Sequence, residues 1–208
     1  MKVKFRDLEH KAMVFLSFAY AFNAAGYSPD KRLQVGCSAF SIRNQKILAT
    51  SFNSKPIHSR TYLDCVNPAT DMSHEDLLHA EAKILFHLGA SGTKNVSMSV
   101  TTAPCRRCAG FIAHTNMKDI YYLGTHDNND GIRVLNEDYG IFPHDCSNHE
   151  EDIVAFSEYF NRTHDSKVCS ELPFEQLVKV TMYWLECNAP YLVLQVLENI
   201  KLVHTVEK

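Results

Sequence analysis

The chain has 208 residues, 45% of them hydrophobic and 22% charged, with a formal net charge of −3 at neutral pH. Such a length suits one domain with an extension or two small domains, and the apolar fraction supports a buried core. The acidic balance excludes the broad basic surface of a protein that grips polynucleotides non-specifically, and leaves room only for a local basic pocket.

Taken in order, residues 4–23 recur as Phe5, Leu8, Ala12, Phe15, Leu16 and Ala19, near helical spacing, and Gly26 with Ser28-Pro29-Asp30 closes the segment. Residues 35–42 predict a buried strand, Arg43-Asn44-Gln45 a turn, and residues 46–52 a second strand completing a hairpin. A long aperiodic stretch follows over residues 53–74, a length that in a compact domain points to function. Ser73 and Asp76 suit the start of a helix over residues 77–88, stopped by Gly89. Residues 96–101 predict a strand, and Pro104 a helix running to Thr115. A strand over 119–123, a short helix over 132–139, a stop at Gly140 and a final strand from Ile141-Phe142 complete an α/β pattern. From His149 onward only helical periodicity remains, over 152–160, 174–185 and 191–203. We therefore divide the chain into a domain of residues 1–148 and a helical extension of residues 149–208, expected to cover the sheet or a subunit interface.

Seven cysteines, an odd number without framework spacing, argue for a reducing compartment. No leader opens the chain and no apolar run reaches transmembrane length, so a cytoplasmic protein without a membrane partner is expected.

Chemistry concentrates in His79-Ala80-Glu81 and Pro104-Cys105-Arg106-Arg107-Cys108. One imidazole and two thiolates can hold zinc and leave its fourth tetrahedral position for water, as catalytic zinc requires. The positive end of a helix starting at Pro104 favours thiolate over thiol at the cysteines. Glu81, two residues from the first ligand, is placed to carry protons without binding the metal. This H-x-E…P-C-x-x-C pattern is the signature of zinc-dependent nucleobase deaminases. His79 alone would read as a hydrogen-bonded structural histidine; the company of Glu81 and the Cys pair decides for a ligand. His58, Cys65 and His74 form a candidate second zinc site, and Cys37, Cys146, His144 and His149 read as packing or loop residues.

Over residues 28–143 the chain resembles the cytidine deaminase superfamily, and within it most closely the deoxycytidylate (dCMP) deaminases. The matching stretches are Val35-Gly36, Ser51-Phe52-Asn53-Ser54-Lys55-Pro56, the two zinc motifs with Thr101-Thr102-Ala103 before the second, and Ile120-Tyr121-Tyr122-Leu123. Ser51 and Ser54 stand where that family's loop carries glycines, and Phe52 where it carries tyrosine. The resemblance implies a three-layer α/β/α fold with a mixed five-stranded sheet, a Zn2+ cofactor, a small-molecule nucleotide substrate and a homo-oligomer. It implies attack of zinc-activated hydroxide on C4 of the cytosine, with Glu81 as the proton shuttle. For substrate contacts it points to Asn53, with Ala80 and Ala103 offering backbone groups to the base edge. Lys55, His58 and Arg60 are candidates for the phosphate, weighed against a plain solvated surface. A rival reading is deamination of tRNA adenosine or single-stranded DNA cytidine, which the acidic net charge opposes. A further rival, a zinc-stabilised interaction protein, leaves Glu81 without a purpose.

Overall fold

A computed structural model of the chain describes residues 3, 5–56, 58–59, 63, 65–67, 72–73, 76–117, 119–125, 130–163 and 174–189. Helix α1 (Leu8–Ala25) precedes the hairpin β1 (Gly36–Ser41) and β2 (Lys46–Phe52). The short strands β3 (Val66–Asn67) and β4 (Met72–Ser73) pair with each other, apart from the main sheet. Helix α2 (Ala80–Gly92), strand β5 (Ser97–Val100), helix α3 (Arg106–Ala113) and strand β6 (Asp119–Tyr122) follow. Helix α4 (Asp130–Arg133) runs into a π-helical turn (Val134–Asp138), then strand β7 (Phe142–Asp145), helix α5 (Glu150–Thr163) and helix α6 (Phe174–Asn188). The main sheet has the order β2-β1-β5-β6-β7, with β1 antiparallel to β2 and β5, and β5, β6 and β7 parallel. This is the expected mixed five-stranded sheet of a cytidine-deaminase-like α/β fold.

The two faces of the sheet carry separate cores. Cys37, Ala39, Met98, Val100 and Ile120 face Ala80, Ile84, Ala109 and Ile112 of α2 and α3. On the other face, Phe40 and Tyr121 meet α1, whose outer side is covered by Ile153, Phe156, Phe160, Leu177 and Leu185. Helix α1 is therefore apolar all round, because it is wrapped by sheet on one side and by α5 and α6 on the other. Its close approach to β1 depends on Gly36, where a Cβ would lie 1.8 Å from the Ala21 carbonyl oxygen. Among the described residues, the helical cover thus rests chiefly on α1.

Several boundaries differ from the expected ones. Ser73 lies in β4 opposite Val66, and α2 begins at Ala80 with His79 as its N-cap. Gly89 kinks α2 through a positive φ of 66° without ending it. The aperiodic loop contains the β3–β4 pair, too short for alternation to reveal. The apolar run at residues 191–203 lies outside the described residues. Among the described residues, no helix is long and apolar enough to cross a membrane.

Beneath α1 lies a buried polar pair. The Arg6 backbone N–H donates to His10 Nδ1 at 3.1 Å, which places the neutral ring's proton on Nε2, 2.7 Å from the Tyr121 hydroxyl oxygen. Burial, reinforced by the Arg6 charge, lowers the His10 pKa to about 4. Because the unfolded histidine titrates near 6.5, the unfolded chain binds more protons between these values, and stability falls as pH drops through that window. The loss is complete below about pH 4 and is worth at most about 3 kcal/mol.

Two outcomes follow for urea unfolding. Phe156, fully buried and edge-on to Trp184 with ring centroids 5.3 Å apart, should cost about 3–5 kcal/mol when changed to Ala. A negligible cost would show that α5 is not part of the core. His10→Gln should lose less stability than the parent between pH 6.5 and pH 4; parallel pH profiles would exclude His10 as the source.

Candidate metal and catalytic centre

Helices α2 and α3 begin at one end of the sheet, beside the carboxyl ends of the parallel strands, where α/β proteins build their sites. That end is tied together by the backbone: Thr101 N–H donates to Gly36 O at 3.0 Å, and Leu123 N–H to Val100 O at 3.3 Å. His79 and Cys105 are the N-caps of the two helices, and neither uses its side chain as a cap. Both side chains are thereby left for another partner. Cys108 lies one turn into α3 and is buried. It therefore shares an approach to the site with Cys105, although Cys105 caps α3 from just outside it, where a helix from Pro104 was expected to include it.

His79 Nδ1 lies 3.6 Å from Cys105 Sγ and 3.5 Å from Cys108 Sγ. Tetrahedral bonds of about 2.3 Å to sulfur and about 2.1 Å to nitrogen would hold N and S roughly 3.6 Å apart. The ligand atoms already sit at that spacing, all within 4.8 Å of one another. No other group of three or more potential ligands occurs among the described residues. His74, needed for the second site considered above, lies outside them.

Hydrogen bonds from Cys108 and His79 hold the Cys105 thiol down at about 3. Cys108, donating to Cys105 and buried, is pushed up in turn, so the two sulfurs share one proton that a metal would displace. The same hydrogen bond to Cys105 raises His79. Glu81 is buried, and desolvation raises its carboxyl above the ordinary range, opposed in part by the His79 charge. Among the described residues, its buried Oε2 has no hydrogen-bond partner. An orphaned carboxylate oxygen beside an imidazole and two sulfurs fits a metal centre with a reactive water.

The remaining predicted residues are distributed as follows. Asn53 is buried, and its Oδ1 accepts from Val35 N–H at 2.8 Å and Ser28 Oγ at 2.7 Å. Its Nδ2 donates to Leu33 O at 2.8 Å and Asp30 Oδ2 at 3.3 Å, so the side chain pins its loop to the segment before β1. Lys55 is buried, with Nζ 3.8 Å from Asp76 Oδ1. His58 is exposed in a turn, and Arg60 lies outside the described residues. Ala80 is fully buried at the first position of α2, and Ala103 spends its N–H on Gly124 O at 3.1 Å. Arg106 and Arg107 are exposed, with Arg107 over the Phe111 ring.

Sequence reasoning missed Lys83. Its Nζ donates to Phe52 O at 2.9 Å and to Ser54 Oγ at 2.7 Å, and stands 4.5 Å from the Phe52 ring centroid. Ser54 and Leu78 exchange backbone hydrogen bonds of 3.0 and 3.1 Å, fixing the residue that precedes His79. Lys83 sits four residues after His79 on the same helix face, the one local signal that could have drawn attention to it.

The family model of the cytidine and deoxycytidylate deaminase zinc-binding region matches residues 10–124, more than half of the chain. The chain belongs to that family, and zinc is the metal its His-Cys-Cys group is built to hold. It is similar in structure to the dCMP deaminase of cyanophage S-TIM5 in complex with dCMP and dUMP. The TM-score is 0.55 at 27% identity, covering 62% of this chain and 92% of that one. The apo form of the same phage enzyme gives a TM-score of 0.51 at 26% identity, covering 62% and 94%. No curated protein matches the sequence.

Metal content tests the centre directly. Purified protein should carry one zinc per chain, whereas Cys108→Ser and His79→Ala should each lose most of it by elemental analysis while retaining the far-UV spectrum. Full zinc occupancy in either variant would place the metal elsewhere.

Proposed function

We propose that this protein converts dCMP to dUMP by hydrolytic deamination. The observation that carries the reading is the buried Glu81 Oε2, without a hydrogen-bond partner among the described residues, beside the His79–Cys105–Cys108 group. The likeness to a phage enzyme solved with dCMP and dUMP supports the choice of substrate.

Water adds at C4 of the cytosine and the 4-amino group leaves as ammonia, giving uracil. Bound zinc supplies a Lewis acid that brings proton loss from water towards the neutral range. Glu81 accepts the water's proton on Oε2, delivers it to N3, and then carries a proton to the departing amine. Its raised affinity for a proton suits a group that must act first as base and later as acid. Burial of the carboxylate keeps bulk water from competing for that proton.

Ala80 and Ala103 offer backbone groups to the base edge. Asn53 sets the loop on which the sugar would rest; a sugar hydroxyl would have to take the place of one of its present partners. Lys55, His58 and Arg60 are the candidate donors to the phosphate, for which Lys55 would turn from Asp76. The reading includes a cytoplasmic location and a homo-oligomer, the latter in keeping with the exposed Phe86 packed on Phe111 at 5.9 Å on the outer faces of α2 and α3.

An ammonia-release assay across dCMP, CMP, dCTP, cytidine and single-stranded DNA tests the reading. Turnover should be fastest with dCMP, fall on chelation and return with zinc. Glu81→Gln should keep its zinc and lose about 10²–10⁴-fold in rate. Preferred turnover of single-stranded DNA would overturn the substrate assignment, and a fully active Glu81→Gln would overturn the mechanism.

A further inference from the structure

Both sulfur ligands depend on the peptide of Cys105. Its carbonyl accepts the first hydrogen bond of α3, from Ala109 N–H at 2.9 Å, so its position sets the turn that carries Cys108. On the far side of this peptide stands Gly131, buried in the first turn of α4. A Cβ on Gly131 would lie 2.0 Å from the Pro104 carbonyl oxygen, 2.7 Å from the Cys105 carbonyl carbon and 2.8 Å from its oxygen. These are backbone atoms, which cannot swing aside as a side chain can. Two elements some 25 residues apart in sequence are thus in direct main-chain contact at the metal ligand. The π-helical turn that follows α4 buries Val134 and Leu135 in the core shared with α2 and α3, and so holds α4 down against that peptide.

We propose that Gly131 is a positioning residue for the metal centre: by bringing the α4 backbone against the Pro104–Cys105 peptide, it sets the separation of both thiolates from His79. This rests on the reading of His79, Cys105 and Cys108 as zinc ligands. A methyl group at position 131 must push that peptide or lift α4, and either movement spreads the ligand set. The disturbance reaches the metal through the ligands' own backbone, as changes in supporting residues commonly do, at a cost of about 10- to 100-fold in affinity.

The test compares three full-length variants with the parent by zinc-competition titration and by the charge-transfer and d–d bands of the cobalt-substituted protein. Gly131→Ala should bind zinc about 10- to 100-fold more weakly, with shifted cobalt bands. Phe156→Ala opens the core on the α1 side of the sheet, away from the metal end. It should lower the melting temperature and leave the cobalt bands in place. Gly110→Ala, with open space around the new methyl, should change neither. Should Gly131→Ala fail to fold, Leu135→Ala decides, since it loosens α4 without a clash; it should weaken zinc binding in the same direction. Parent-like affinity and bands in the folded Gly131→Ala, or in Leu135→Ala where that variant decides, would overturn the proposal. A parent that binds neither ion would instead overturn the reading of the metal centre.

Discussion

Two helices start against the same end of one sheet, and each leaves its capping side chain unspent. This is the constraint on which the molecule turns. A helix N-terminus carries partial positive charge from free N–H groups, and an ordinary cap would neutralise it locally. Here His79 and Cys105 occupy the cap positions without bonding back to their helices. The uncapped ends favour thiolate, and two thiolates offset the charge of a divalent ion. Zinc binding and helix initiation are therefore coupled: the local stability given up at the caps is recovered only when the ligands close on a metal.

The supporting structure follows from the need to bring those two caps within a few ångströms of each other. The Ser54–Leu78 backbone pair and the Lys83 ammonium fix the entry to α2. Asn53 fixes the same loop to the segment entering β1 through four hydrogen bonds reaching Ser28, Asp30, Leu33 and Val35. On the α3 side, the parallel β5–β6 pair and the Ala103–Gly124 bond fix the entry. The carboxylate of Glu81 is then buried by the packing of α2, and desolvation raises its affinity for a proton.

What could be read from the sequence was whatever rests on local pattern. The five strands of the main sheet, the helices carrying the ligands and the ligand set itself are local signals: alternation, apolar runs, and H-x-E with P-C-x-x-C. Features that depend on distant partners were not legible. Asn53 is a plausible loop residue by itself, and only the fold shows that its amide is spent on Ser28 and Leu33, 25 and 20 residues away. The His10–Tyr121 bond spans 111 positions. The π-helical turn after α4 appeared as ordinary helix because its apolar residues keep nearly helical spacing. Two helices of the extension, Glu150–Thr163 and Phe174–Asn188, stand where their periodicity placed them, but their resting place on α1 followed from α1 being apolar on every side, which a single apolar stripe in the reading of residues 4–23 did not convey.

That placement of α1 orders events in time. When synthesis has passed β7, every strand of the main sheet exists, yet one side of α1 still presents Phe15 and Tyr20, the later partners of Phe156 and Phe160, to water. The residues that will cover them, from Ile153 to Leu185, emerge over a further few seconds at roughly 5–20 residues per second. Until then the nascent chain exposes a sticky aromatic surface at the ribosome exit. A messenger cut short before α6 would yield a sheet able to hold its metal ligands but prone to clump, so loss of the tail would reach the cell first as insolubility and only afterwards as missing catalysis.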